Sequence, residues 1–459
     1  MTSHTRSQEA NLTNVELAAE KLVDKESMPR SVVFNFPWWI HPLWPALLFV
    51  SLIVASGFMV DSDSYSLWKV PRYVSSDLTL TAAISGLAFA IGLAVTTSTS
   101  SRNKSLRCVL SPTIIARCGR IATITFALTL VGYFFWIAFA IGRGASVEDF
   151  AAIIRLEEGS VGRLKRLSPP VAGLTTITQL GPVCIAMRVF LRRVGLREKN
   201  YQIYTVIAFA LFRSFFYGER LAIIEVIIPV VVVFSVVSAE EKSRTRSRLV
   251  NFLAPLLAVP VLWSVFAIFE YSRSWLYYRN VVDSSFFEYI STRLLGYYVT
   301  TINNSSLYHS ILSGRAHDPF FTFPVLWEAP GLPSVLGGGM VDGIGARIWW
   351  SNTLVNYANP EFNNEGTFLI SDADLGTMGS VVYWLIIGVF IGFLYSSLRR
   401  GNIAGLIAYS VSFIGLLEIV RITYWVQGRY FPMVIAMLFI VYALNRPNDL
   451  RPTNRTIIR

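Results

Sequence analysis

Charge is scarce in this 459-residue chain: Asp, Glu, Lys and Arg make up 15% of it, against about 25% in an average soluble protein. That sets a soluble globular protein aside. Cysteine is scarcer still, with three residues. Cys108 and Cys118 sit in a basic stretch and Cys184 in an apolar run, so a disulfide framework and a structural zinc site both lack their spaced ligands. There is no internal repeat of the kind that marks the inverted halves of a secondary transporter. Residues 1 to 37 are polar, with no apolar core and cleavage site, and read as a tail rather than a signal peptide. What the chain has in quantity is apolar and aromatic: 53% hydrophobic residues, with 12 Trp, 20 Tyr and 31 Phe. Such a load suits a chain that crosses membrane interfaces many times.

A spanning helix needs about 20 apolar residues to cross about 30 Å of hydrocarbon. Runs of that kind lie near 42–60, 78–98, 121–141, 171–190, 201–216, 221–238, 249–269, 376–397, 403–420 and 430–445. The expected fold is all-α, a polytopic integral membrane protein with about ten transmembrane helices and a long, partly helical extracytoplasmic loop. The expected division is a tail at 1–40, seven spans in 41–269, the large loop at 270–375, three spans in 376–446 and a tail at 447–459. Lys and Arg concentrate in the loops on one side, as at Arg102, Lys104, Arg107, Arg117 and Arg120 or Lys242, Arg244, Arg246 and Arg248. By the positive-inside rule both termini are cytoplasmic. The net charge of +11 is then a topology signal, and no nucleic-acid partner is implied. On the other side, Ser146-Val147-Glu148-Asp149 has a capping-box pattern that opens a short interfacial helix.

The outer side is rich in Arg rather than Lys, and a guanidinium fork suits phosphate or carboxylate. Two clusters stand at the outer ends of membrane hairpins, Arg213-Ser-Phe-Phe-Tyr-Gly-Glu-Arg220 and Arg421-Ile-Thr-Tyr-Trp-Val-Gln-Gly-Arg429. Each one alone is equally well read as arginines snorkelling to headgroups. Their recurrence points to a shared anionic ligand. Glu225 and Glu418 lie within spans, where a carboxylate is costly, and are expected to pair with these arginines; Glu418 is one turn before Arg421. The long loop adds Arg273, Arg279, Arg293, Tyr297, Tyr298 and Asn303, with His309 as a candidate general base because imidazole titrates near neutrality. At the loop's end, Asp372 and Asp374 are placed to cap the next helix; alternatively Glu365 and Asp374 bind a sugar hydroxyl or deprotonate it. No metal is expected from this carboxylate set.

The Gly-Glu-Arg hairpin, the long loop with Arg293, Tyr297-Tyr298 and Asn303, the stretch from Asn364-Glu365-Gly366 to Asp374-x-Gly376, and a following span with Gly388, Gly392 and Tyr395 resemble the Wzy-type oligosaccharide repeat-unit polymerases, the O-antigen or exopolysaccharide polymerases. The resemblance runs over roughly residues 120–440. It implies a GT-C-like membrane glycosyltransferase of the bacterial inner membrane, without a cofactor. The reaction implied is transfer of a growing glycan from undecaprenyl pyrophosphate to a newly flipped lipid-linked repeat unit at the periplasmic face. Arg213, Arg220, Arg421 and Arg429 would bind the pyrophosphate, whose charge develops as the glycosidic bond breaks. Glu219, His309 and Asp374 are the candidates for the base that activates the acceptor hydroxyl. Arg273, Arg279, Arg293, Tyr297, Tyr298, Asn303 and Glu365 would contact glycan. Besides lipid-linked donor and acceptor and the membrane lipid itself, a flippase and a chain-length co-polymerase are the implied partners. Two readings compete with this one. An O-antigen ligase shares the donor and fits His309 in the large loop; a transporter or flippase of lipid-linked oligosaccharides would need more charge at mid-span than the sequence offers.

Overall fold

The computed structural model describes residues 30–98, 105–157, 159–196, 199–238 and 244–444, the side chains of 244–251, 254, 272 and 273 excepted. Apolar runs fold here as helices because a backbone kept from water must bond within its own segment. In chain order, β1 (Arg30–Asn35), α1 (Leu43–Met59) and α2 (Ser76–Ser98) are followed by β2 (Ser105–Leu110), α3 (Pro112–Gly142), and the short α4 (Val147–Ile154) and α5 (Ser160–Leu167). Then come α6 (Gly181–Arg193), α7 (Tyr201–Phe216), α8 (Leu221–Val236), β3 (Val237–Ser238) and α9 (Arg244–Glu270). The long-loop region holds α10 (Phe286–Leu312), α11 (Pro324–Glu328), α12 (Leu332–Leu336), the hairpin β4 (Met340–Val341) and β5 (Ile344–Gly345), and α13 (Ala346–Tyr357). The chain closes with α14 (Phe368–Arg399), α15 (Ile403–Leu417) and α16 (Phe431–Leu444).

Among the described residues, three helices are long and apolar enough to cross a membrane: α2, α3 and α14. Their outward faces are apolar. Leu80, Ile84, Leu87, Ile91 and Val95 recur at helical spacing along α2 and are 43% to 59% exposed, a stripe that water would penalise and hydrocarbon would not. Inward, α2 and α14 press backbone to backbone. A Cβ at Gly388 would lie 2.3 Å from the Phe89 carbonyl oxygen, and one at Gly92 would lie 2.4 Å from that of Leu385, so only glycine permits the crossing. Buried hydroxyls complete it, with Ser85 Oγ 3.0 Å from Ser380 Oγ and Ser380 Oγ 2.7 Å from Ser371 Oγ.

Several expectations from the sequence need correction. Further apolar helices, α1, α7, α8, the Pro255–Glu270 part of α9, α15 and the Gly428–Leu444 segment, have 10–17 residues, fewer than a full crossing needs; α7 has the bounds expected for it, 201–216. The run 171–190 is not one helix. After Pro169-Pro170, Gly173 turns with φ +81°, Thr175–Leu180 is a 3₁₀ segment, and α6 proper has 13 residues. Proline cannot continue a helix, and the Thr175 hydroxyl accepts from Val171 N at 2.8 Å, holding the turn. The eighth expected span starts where Gly376 interrupts α14 with φ +70°, and a further helical stretch from Phe368 precedes it. Asp372 and Asp374 therefore lie inside α14 instead of capping it.

Strands also appear in a chain expected to be all-α. Residues 30–35, assigned to the N-terminal tail, form the centre of an antiparallel sheet in the order β2-β1-β3, with Val32 opposite Cys108 and Phe34 opposite both Leu106 and Val237. Val32 and Phe34, two residues apart on one face, are fully buried, while Ser31, Val33 and Asn35 on the other face are half-buried. The capping box at Ser146 and Asp149 is present as expected. The long loop is largely ordered and helical. Its principal element α10 packs against α14, α9 and α1, carrying loop residues deep into the bundle.

Candidate active site

Opposite the sheet, the turn between α7 and α8, the turn between α15 and α16, and the segment 361–366 meet. Arg213 ends α7 and grips Glu219 through Nε at 2.8 Å and Nη2 at 2.5 Å. Arg429, from the second hairpin, reaches the same Glu219 oxygen at 4.0 Å and Glu225 at 3.5 Å. The Tyr424 hydroxyl donates to Glu225 at 2.9 Å. The two hairpins thus share carboxylates, which is how their sequence likeness becomes one site. Arg220 pairs with Glu270 at 3.1 Å and lies 4.4 Å from the Phe266 ring and 5.0 Å from the Tyr297 ring. Arg293 takes the other Glu270 oxygen at 2.7 Å and Glu361 at 2.7 Å. Arg421 bonds Glu418 at 2.8 Å, the expected one-turn pair, and Asn364 Oδ1 at 3.2 Å.

Exposure sorts these arginines. The side chains of Arg213 and Arg293 are 7% and 9% exposed, against 28% for Arg421 and 29% for Arg429. Arg421 Nε has no hydrogen-bond partner, and Arg429 makes the longest ion pairs of the group. A third exposed guanidinium joins them that the sequence did not single out. Arg347 on α13 pairs with Glu328 at 2.5 Å and Glu365 at 3.1 Å. Glu328 in turn accepts from Gly428 N at 3.2 Å, so the loop is tied to the second hairpin beside Arg429. Arg347, Arg421 and Arg429 form the open side of the site, and a planar fork of donors on each suits a phosphoryl oxygen.

The carboxylates differ as sharply. At Glu219, burial works to raise the pKa, but the Arg213 and Arg429 guanidinia hold it below the ordinary value. At Glu365 burial wins over Arg347, and the pKa is raised. Asp374 is saturated: Oδ1 accepts from the Tyr308 hydroxyl at 2.7 Å and faces His317 Nε2 at 2.9 Å, while Oδ2 accepts from Thr322 N and Oγ1 at 3.2 and 2.7 Å. Four donors leave it no lone pair aimed at a substrate. His309 Nε2 lies 2.8 Å from Asp372 Oδ2, so the helix-breaking segment of α14 orients that ring.

Other expected contacts fall elsewhere. Asn303 is fully buried, accepting from Tyr73 N at 2.6 Å and donating to the Pro71 carbonyl at 2.8 Å; it fixes the 71–73 segment and does not face a glycan. Arg279 is exposed and makes no ion pair among the described residues. The Arg273 side chain lies outside the described residues. Tyr297 is buried between Arg220 and Arg293, and Tyr298 lies within electrostatic reach of Glu418, Arg421 and Arg220. Besides Arg347, the sequence reading missed Glu328 and Glu361. Asn304, next to Asn303 in the long-loop set, donates its amide to the carbonyls of Phe362 and Asn364 at 2.6 and 3.0 Å. Among the described residues no group of His, Cys, Asp and Glu is arranged to hold a metal ion. Compared with known proteins, the chain matches no family model, no curated protein and no solved structure.

Proposed function

We propose that this protein is a multi-pass glycosyltransferase that polymerises undecaprenyl-pyrophosphate-linked oligosaccharide repeat units at the periplasmic face of the bacterial inner membrane. In this reading the chain crosses the bilayer about ten times, with the short α6 and its 3₁₀ lead as the fourth crossing. The sheet and the basic loops face the cytoplasm, and the arginine end faces the periplasm. The observation that carries it is the convergence of Arg347, Arg421 and Arg429 at one opening, with Arg213 and Arg220 behind them. Donors fixed before the reaction stabilise the charge that grows on a departing pyrophosphate without rearranging. Carboxylate partners keep the guanidinia in place while the site is empty and yield to phosphoryl oxygens when it fills. The aromatic rings of the same end offer faces on which sugars stack.

The test is a gel of lipid-linked glycans from a strain lacking this gene, complemented with wild type, Arg220→Ala or Arg429→Gln. Single repeat units on the lipid in the deletion and in both variants, with a ladder in the wild type, are the expected result. Long glycans still formed but left on undecaprenyl pyrophosphate would replace the polymerase with a ligase. An unchanged ladder would remove this end of the molecule from glycan assembly.

A further inference from the structure

If glycan transfer is the reaction, an acceptor hydroxyl has to lose a proton next to the arginines, and the carboxylates there are not equivalent. Glu219 is clasped by Arg213 and Arg429, Glu225 by Arg429 and Tyr424, and Glu328 by Arg347 and the Gly428 amide. Asp374 is saturated as described. Glu365 stands apart in its setting. Among the described residues its one ion pair is with Arg347, and its side chain is 13% exposed, so it is shielded yet reachable. The backbone that presents it is fixed on both sides. Asn304 holds the Phe362 and Asn364 carbonyls, Asn364 Nδ2 donates to the Tyr297 carbonyl at 3.4 Å, and Gly366 N donates to the Arg421 carbonyl at 3.0 Å. Gly366 has φ +87°, and a Cβ there would lie 2.8 Å from Ser305 Cβ. A rigid turn therefore delivers this carboxylate to Arg347 on the open side.

We propose that Glu365 is the general base of the transfer, a step that rests on the glycosyltransferase reading. Its carboxylate takes the proton of the acceptor sugar hydroxyl as that oxygen bonds to the donor's anomeric carbon. The bond from that carbon to the pyrophosphate oxygen breaks, and the electron pair leaves with the pyrophosphate into Arg421 and Arg429. The proton passes to water, and the carboxylate is restored. The groups that set its protonation are Arg347 from α13, Glu328 from α11 and Arg421 from the second hairpin. Burial raises its proton affinity above that of an ordinary glutamate, which brings a base closer to the working pH.

The measurement uses the full-length protein in proteoliposomes with lipid-linked oligosaccharides extracted from a strain deleted for this gene, followed by turnover rate against pH. Wild type is expected to extend the glycan and to lose rate on the acid side as Glu365 protonates. Glu365→Gln should lower kcat by about 10² to 10⁴-fold, with KM for the lipid substrate within about threefold of wild type, and should abolish the acid limb. Formate should restore part of the rate to Glu365→Ala, a recovery open only to a missing carboxylate and independent of how well the Gln variant folds. Wild-type rate and an unchanged acid limb in Glu365→Gln would overturn the assignment while leaving the transferase reading intact. Loss in Glu365→Ala without formate recovery, and with the acid limb still present in Glu365→Gln, would make Glu365 a positioning residue and overturn it too. A wild-type protein that extends nothing would overturn both proposals together.

Discussion

The two ends of this molecule use arginine in opposite ways. Guanidinia lie over aromatic rings at both ends, but at the sheet end they bond backbone carbonyls. Arg30 donates to the Val194 carbonyl at 3.1 Å, Arg193 to that of Val237 at 2.6 Å while lying 4.3 Å from the Phe234 ring, and Arg399 covers Phe36 at 4.1 Å. At the other end, Arg213, Arg220, Arg293, Arg347, Arg421 and Arg429 each meet a glutamate. A cation bonded to a carbonyl closes a turn and keeps its charge, which suits a topology signal. A cation held by a carboxylate is positioned and partly neutralised, and desolvating such a pair is costly unless something uses it. Basic residues alone therefore do not mark a site in a membrane protein; arginines delivered together with their glutamates do.

The largest effect that tests this contrast comes from removing one charge at each end. Arg429→Gln should lower glycan extension by about 10² to 10³-fold, the scale for losing one preorganised donor. Arg193→Gln should leave extension within about twofold and cost about 1 kcal/mol of stability from a lost hydrogen bond. Parallel turnover and thermal unfolding of both variants check it, and equal losses of turnover would erase the distinction between the ends. Midway between them, Gly388→Val should disturb both at once. Its side chain would enter the Phe89 carbonyl, and overpacking of this kind costs about 1 to 3 kcal/mol. The expected reading is a lower unfolding temperature with reduced turnover of whatever remains folded; unchanged stability would mean that α2 and α14 do not cross this closely.

A smaller effect separates the locked arginines from the open ones. Arg213→Lys keeps the charge but loses the fork that holds Glu219 through two nitrogens. Extension should fall by about tenfold, the consequence of about 1.4 kcal/mol of misplacement, and less than in Arg429→Gln. A larger loss in Arg213→Lys than in Arg429→Gln would move the ligand-facing role to the first hairpin.

The sequence made the helical character, the two arginine hairpins and the Glu418–Arg421 pair legible, because each is written locally, in hydropathy or in one-turn spacing. The sheet was hidden because Arg30–Asn35, with Val32, Val33 and Phe34 consecutive, shows no apolar-polar alternation that would mark a strand inside a polar tail. Pro169-Pro170 was visible, but its effect was not: the 3₁₀ turn depends on Thr175 reaching back to Val171. Arg347 was missed for a different reason. Its partners Glu328 and Glu365 stand 19 and 18 residues away, a separation with no periodic signature, so only the folded loop brings them together. Asn303 misled because an amide in an aromatic helix looks like a sugar contact until Pro71 and Tyr73 are seen to occupy it.

The smallest effect lies in the loop that roofs the arginine end. The hydrogen bond to Asp374, supported by the Arg315 carbonyl at 2.9 Å, raises the His317 pKa against the opposing effect of burial. A histidine whose pKa is higher in the folded than in the unfolded state binds more protons when folded. Its contribution is therefore full below about pH 6.5, the ordinary value, and is lost as pH rises through the folded-state value. Thermal unfolding of wild type between pH 6 and 9 should show stability declining over that window, and His317→Gln should flatten the decline while leaving the acid side lower than in wild type. Among the described residues the sheet end has no His–Asp ion pair. If the decline persists unchanged in His317→Gln, the pH response does not come from the roof of the arginine end, and Asp374 is held by Tyr308 and Thr322 without help from the imidazole.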